Sequence, residues 1–172
     1  MLEEVKSFIP KNKKINVIDA TFGSGGYSSS IIKEFKVNQL IAIDRDPISE
    51  IFSKELKNKC INFKLVNDKF SNIDQIIKKI NSGDNKYDVI IFDLGISSNQ
   101  LDDANRGFSF QKDGPLDMNM GISSKKAYEV VNLYDEKKLA DIIFKLGEEK
   151  FSRRIAKNIV KCRKDKLINS TS

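Results

Sequence analysis

Hydrophobic positions in the first ninety residues switch repeatedly between short apolar runs and a helical period. Residues 15–19 (I-N-V-I-D) make one run closed by an acid, and residues 40–43 make a second that ends at Asp44. Residues 61–66 alternate, and residues 87–92 form a fourth run ahead of Asp93. Runs of this length predict strands buried on both faces, as in parallel sheets. Between them the apolar spacing becomes three to four. Ile31, Ile32 and Phe35 follow the first run, Ile48, Ile51, Phe52 and Leu56 the second, and Ile73, Ile76, Ile77 and Ile80 the third. Each set predicts a helix with one buried face. Arg45-Asp46-Pro47 is expected to open the second of these helices, with proline in its first turn. Ser71 or Asn72 is expected to cap the third. A short amphipathic helix is expected over residues 2–8, and residues 81–85 read as a loop. Strands alternating with helices predict an α/β fold built on a Rossmann-like, doubly wound parallel sheet.

The rhythm breaks at Leu94. Residues 94–121 are rich in glycine and aspartate and have no clear period, yet they carry Phe108, Phe110, Leu116, Met118 and Met120. Long loops in compact domains are usually functional or disordered, and this one is too apolar for a free linker. Only helices are expected beyond it: residues 124–131, then 135–146 with Leu139, Ile142, Ile143 and Leu146 facing in. A last helix is expected over 148–162, with Phe151, Ile155 and Ile159 inward. The chain is therefore expected to comprise an α/β core over residues 1–100 and a loop with a helical module over 101–172. No strand is expected after the fourth, and the bare sheet edge this leaves predicts a chain incomplete at its carboxyl end.

Composition narrows the class. With 40% hydrophobic and 31% charged residues, the chain has enough apolar content for a core and too much charge for a membrane protein. No apolar run approaches the roughly 18 residues of a membrane span, and no secretory leader is expected. Cys60 and Cys162 have unrelated surroundings, so neither a disulfide framework nor a metal spacing is expected, and both read as thiols of a reducing cytosol. Histidine is absent from the sequence, which removes imidazole bases and most zinc sites. The net charge of +6 is concentrated from residue 145 onward, where nine Lys/Arg face three Asp/Glu. A local basic excess is a better sign of a polyanionic partner than diffuse charge is, although a solvated helix face explains it as well.

The candidate chemistry gathers after the first strand, in D-A-T-F-G-S-G-G at residues 19–26. Glycines just past a buried strand let the backbone turn tightly and approach a ligand before a helix begins. Asp44 lies 19 residues after Gly25, near the spacing at which an acid ending the second strand meets the ribose hydroxyls of a nucleotide. Helix capping is the competing role for Asp44. Counted from Gly23, the position that completes G-x-G-x-x-G is Ser28, so a nicotinamide dinucleotide is disfavoured.

Four blocks, D-A-T-F-G-S-G-G-Y-S, A-I-D-R-D-P, D-L-G-I-S-S-N-Q-L-D-D-A-N-R-G-F-S-F and D-G-P-L-D-M-N-M, occur in order along the chain. With G-E-E-K-F-S-R-R-I-A-K-N-I-V they resemble the bacterial small-subunit ribosomal RNA cytosine-N4 methyltransferase family, often called MraW. The resemblance implies a class I fold using S-adenosylmethionine, a cytosine amine in small-subunit ribosomal RNA as acceptor, and a cytoplasmic enzyme. It implies that Gly25, Gly26 and Tyr27 line the cofactor pocket, that Asp44 holds the ribose, and that Phe70 packs near the adenine. Asp93 and Gln100 would complete the cofactor contacts. Residues 101–172 would belong to an RNA-recognition module, and the family extends beyond both ends of this chain. It leaves the oligomeric state open, a homodimer included. Ala20 and Tyr27 depart from the family pattern, which has glycine and histidine there; a backbone contact at Tyr27 survives the change, a side-chain contact need not.

Methyl transfer from a sulfonium to an exocyclic amine needs no metal and no covalent intermediate. It needs in-line placement and an acceptor for the amine protons. Asp93, at the carboxyl end of the fourth strand, is the first candidate to orient the amine; Asp113 and Asp117 are weaker, with turn capping their stronger role. A C5 methyltransferase would need a cysteine nucleophile, and neither cysteine sits in such a loop. Phe108 and Phe110 are candidates to stack on an unpaired base, with core packing the alternative. Arg106, Arg153, Arg154 and Lys157 are candidates for phosphate contacts. A non-catalytic cofactor- or RNA-binding fragment and, less favoured, a nicotinamide-dependent oxidoreductase are the competing functions.

Overall fold

The computed structural model describes residues 1–80, 86–121 and 125–172. It divides into two compact units, Met1–Ser97 with Met120–Ile122, and Ser98–Asn119 with Ser123–Ser172. The expected loop at 81–85 and the start of the helix expected at Ser124 lie outside the described residues.

The first unit is an α/β sheet. Its elements are α1 (Leu2–Ser7), β1 (Ile15–Asp19), α2 (Gly26–Glu34), β2 (Val37–Asp44), α3 (Ser49–Lys59), β3 (Phe63–Asn67), α4 (Ile73–Ile80) and β4 (Val89–Ile91). All strand pairs are parallel, in the order β3-β2-β1-β4. Alternate residues of the strands feed two cores. Ile15, Val17, Leu40 and Ala42 pack with Ile31 of α2 and Leu56 of α3, while Ile18, Ile41 and Ile43 pack with Ile76 of α4. Burial on both faces explains why these strands read as continuous apolar runs. The chain passes from β1 through β2 to β3 and then returns to the other side of β1. The reversal of order between β1 and β4 makes the carboxyl ends of these two strands the place where such sheets bind ligands.

Several boundaries differ from the periodicity. β2 begins at Val37, three residues early, because its polar start is satisfied: Asn38 Nδ2 donates to Asn16 Oδ1 at 2.9 Å. α3 begins at Ser49, so Pro47 lies ahead of the helix. Carboxylates shape that turn instead, Asp44 Oδ1 accepting from Asp46 N at 2.8 Å and Asp46 Oδ1 from Ile48 N at 3.3 Å. β3 starts at Phe63, and Ile61, expected within it, is fully exposed. Ser71 and Asn72 do not cap α4. They lie in a 3-10 turn over Phe70–Asn72, and Asp68 Oδ1 takes Lys69 N at 2.7 Å and Asn72 Nδ2 at 2.8 Å. β4 is three residues, shorter than the expected six.

The second unit holds α5 (Ser98–Asp102), α6 (Ala127–Leu133), α7 (Glu136–Gly147) and α8 (Ser152–Asp165). The aperiodic stretch concealed α5. Asp135 caps α7, its Oδ1 accepting from Lys138 N at 2.8 Å. Leu139, Ala140 and Ala156 form the core, with Val130, Tyr134, Ile159 and Val160 packed against it. Leu146 and Phe151, both expected inside, are 81% and 60% exposed, because they lie at the turn between the two helices rather than along their shared face. A strap at residues 168–172 closes over the D-G-P-L-D turn. Asn132 Nδ2 donates to Ile168 O at 2.8 Å, Ile168 N returns to Asn132 Oδ1 at 3.0 Å, and Pro115 and Ser170 form an antiparallel bridge. No helix among the described residues is long and apolar enough to cross a membrane.

Candidate cofactor site

Four strand ends of the first unit bring their side chains to one edge of the sheet. β1 runs out at Asp19, and the loop Ala20–Gly25 turns back to start α2. The loop is held from two sides. Phe22 N donates to Ile43 O at 3.1 Å and Ala20 N to Ile91 O at 2.9 Å, so it is anchored to both neighbouring strands. Gly23 N donates to Asp44 Oδ2 at 2.6 Å. Asp44 thus receives one backbone N–H on each oxygen, and each oxygen keeps a lone pair for a further donor.

The glycines differ in role. Gly25 is in the left-handed region at φ 79°, and a Cβ there would lie 2.8 Å from the Phe22 ring. Gly26, the first residue of α2, has no atom within 4 Å of where a Cβ would be. The turn requires the first; at the second, glycine leaves open space beside the helix amino terminus. Gly25 supplies no side-chain cap to α2, and the positive end of the helix dipole lies at this amino terminus.

Sequence reasoning missed the second carboxylate. Asp19 is buried, and its Oδ2 accepts from Ser28 Oγ at 2.6 Å while its Oδ1 takes Thr21 N at 3.4 Å. Burial pushes its pKa up to about 6, against the pull of the Ser28 hydrogen bond. Asp19 ties the two ends of the glycine loop together. An acid at a strand end followed nine residues later by a serine on the helix was the available signal. Thr21 was missed too. Its Oγ1 accepts from Asp93 N at 2.7 Å and fixes the second residue past β4 to the loop after β1.

Of the residues singled out, Gly25, Gly26, Tyr27, Asp44, Phe70 and Asp93 belong to the first unit. Tyr27 is half-buried and packs against the larger core. Phe70 and Phe92 meet edge to face, centroids 5.6 Å apart, and are 42% and 50% exposed. They form an aromatic corner beside the ends of β3 and β4. The remaining residues belong to the second unit. Gln100 is buried. Arg106 Nη2 donates to Asn119 O at 2.6 Å, with its guanidinium 6.0 Å from the Phe108 ring centroid. Phe110 is fully exposed, so it is not a core residue. Asp113 accepts from Ser172 N at 3.2 Å and Asp117 pairs with Lys126 at 2.7 Å; the Ser172 side chain, with its amide, holds the first carboxyl below the usual range, and Lys126 the second. Arg153, Arg154 and Lys157 are exposed on α8.

The first-unit corner thus offers open space beside Gly26, two carboxylate oxygens on Asp44 and the half-exposed rings of Phe70 and Phe92 as an apolar wall.

The model of the MraW methylase family matches residues 1–172. A protein called ribosomal RNA small subunit methyltransferase H from Caldicellulosiruptor saccharolyticus is 44% identical over 99% of the chain and 56% of its own length. Proteins of the same name from Ehrlichia canis and Rickettsia bellii are each 44% identical over 99% of the chain, covering 57% and 54% of theirs. The chain thus spans little more than half the length of these relatives. Among solved structures, an rRNA methylase from Streptococcus thermophilus aligns over 66% of both chains at 18% identity with a TM-score of 0.42.

Proposed function

The chain belongs to the MraW methylase family, and from that premise we propose that the protein of which it forms this part methylates the N4 amine of a cytosine in small-subunit ribosomal RNA, in the cytoplasm, with S-adenosylmethionine as donor. The observation that carries this reading is the joint held by Gly23 and Asp44, a glycine loop clamped to the acid of the next strand beside the open face of Gly26. Residues 1–100 act as the cofactor-binding core and residues 101–172 as the RNA-recognition part.

S-adenosylmethionine supplies an electrophilic methyl on a sulfonium. The chain supplies placement. Asp44 accepts the ribose hydroxyls on its two remaining lone pairs, and the amides opening α2 at Gly26 and Tyr27 receive the amino-acid carboxylate. Phe70 flanks the adenine, and Asp93 completes the contacts. Holding donor and amine in line supplies several kcal/mol of the barrier reduction. Asp93, anchored through its amide to Thr21, orients the amine and accepts its proton as nitrogen gains positive charge. In the second unit Arg106, Arg153, Arg154 and Lys157 serve phosphates, and Phe108 and Phe110 serve bases. Asp113 and Asp117 are engaged in holding the strap and Lys126, which favours a structural role over a catalytic one.

The test is incubation with methyl-labelled S-adenosylmethionine and small ribosomal subunits lacking the modification, using this chain and a version extended to the length of its relatives. Label on a cytosine amine in nuclease digests is the expected result for the extended version. Label on another base, or none with either protein, contradicts the reading. Affinity for cofactor or RNA without turnover in both would favour a binding protein.

A further inference from the structure

Basic and apolar surface coincide at the turn between α7 and α8. Phe144 and Leu146 in the last turn of α7 are 56% and 81% exposed, and Phe151, at the N-cap of α8, is 60% exposed. They are not part of the hairpin core, which closes farther along through Leu139, Ala140 and Ala156. The Arg154 guanidinium lies 4.7 Å from the centroid of the Phe151 ring. Lys145, Lys150 and Arg153 flank it in sequence. One of the two nearby acids is turned onto the backbone, Glu149 Oε1 accepting from Phe151 N at 2.7 Å.

An apolar partner surface would cover the three large side chains but would have to desolvate several cations. An unpaired nucleic acid strand meets both demands: its bases stack on aromatic rings and guanidinium planes, and its phosphates take the positive charge. We infer that the α7–α8 turn is a stacking platform for an unpaired nucleotide of RNA, with the Phe151 ring and Arg154 guanidinium as the stacked pair and Lys150 as a phosphate contact. The inference rests on the RNA-substrate reading above and assigns to that substrate a place, Phe144, Leu146, Phe151 and Lys150, that the reading leaves unassigned.

Fluorescence anisotropy with a labelled single-stranded oligouridylate tests it, with this chain compared with Phe151→Leu, Phe151→Tyr and Lys150→Gln. Phe151→Leu keeps apolar bulk at an exposed position and loses the ring. It should weaken binding about five- to twentyfold without changing the salt dependence, while Phe151→Tyr binds as the parent does. Lys150→Gln should lower the slope of log affinity against log salt by about 0.7. The platform is overturned if Phe151→Leu binds like the parent, if the parent fails to bind the strand, or if the substitution changes only self-association in sedimentation. Calorimetry with S-adenosylmethionine on the same samples separates the two readings. Intact cofactor binding with no Phe151 effect removes the platform alone. A Phe151 effect without cofactor binding removes the methyltransferase reading alone.

Discussion

Gly23 and Asp44, 21 residues apart, are joined by a 2.6 Å hydrogen bond from the Gly23 amide in the loop after β1 to the side-chain carboxylate of the acid that ends β2. The carboxylate expected to read a ribose is also the one that sets the loop beside it. Shape and recognition therefore depend on the same group, and the two can be separated by measuring stability and cofactor binding on the same variants.

Gly25 and Gly26 should respond in opposite ways to alanine. Gly25→Ala places a Cβ against the Phe22 ring at a φ that L residues avoid, and should cost about 1–3 kcal/mol of stability. Gly26→Ala meets nothing and sits in a helix, so stability should hold or rise by roughly 0.5–1 kcal/mol. If the cofactor approaches there, affinity should fall all the same. Chemical denaturation with calorimetry on both variants checks the pair, and unchanged affinity in Gly26→Ala would move the ligand elsewhere.

Asp19 makes stability depend on pH in a known direction. Its carboxyl is raised to about 6 from 3.8, so between roughly pH 4 and 6 the folded protein binds more protons than the unfolded chain. The contribution of Asp19 to stability therefore falls as pH rises through that window and is level above it. Asp19→Asn removes this dependence and still accepts from Ser28. Relative to the parent, the variant should gain on the order of 2 kcal/mol between pH 4 and pH 7. Carboxyls held low by partners, such as Asp88 and Asp117, act in the opposite sense and cancel in the comparison. Parallel stability curves for the two proteins would refute the assignment.

Much of this was legible beforehand. The four strands, the α/β class and the glycine corner followed from apolar runs buried on two faces, and Ile76 packs inward with Ile73, Ile77 and Ile80 as their spacing predicts. What escaped was fixed by polar groups rather than by apolar period. The late start of α3 comes from the Asp44 and Asp46 turns, and Asp68 holds the 3-10 turn ahead of α4 through Lys69 N and the Asn72 side chain. Leu146 and Phe151 continue a helical period yet lie exposed at a turn. Asp19, Ser28 and Thr21 are ordinary in sequence; their roles arise from contacts across strand ends, which periodicity does not record.

The strap of the second unit rests on Asn132, whose buried amide makes both bonds to Ile168 and a third to Tyr128 O. Asn132→Leu removes all three and leaves the Ile168 amide and carbonyl unpaired, so a loss of about 2–4 kcal/mol is expected. Hydrogen exchange should show protection lost at residues 168–171 first. Unchanged exchange there would mean that the strap is held by other contacts.

The most direct measurement is a calorimetric titration of this chain with S-adenosylmethionine, with NAD as control and Asp44→Ala alongside. The account predicts saturable binding of S-adenosylmethionine alone, weakened at least about tenfold by loss of the two charge-assisted hydrogen bonds in the variant. Absence of binding by a chain that unfolds cooperatively, or equal affinity in Asp44→Ala, would contradict the assignment of the cofactor to this corner.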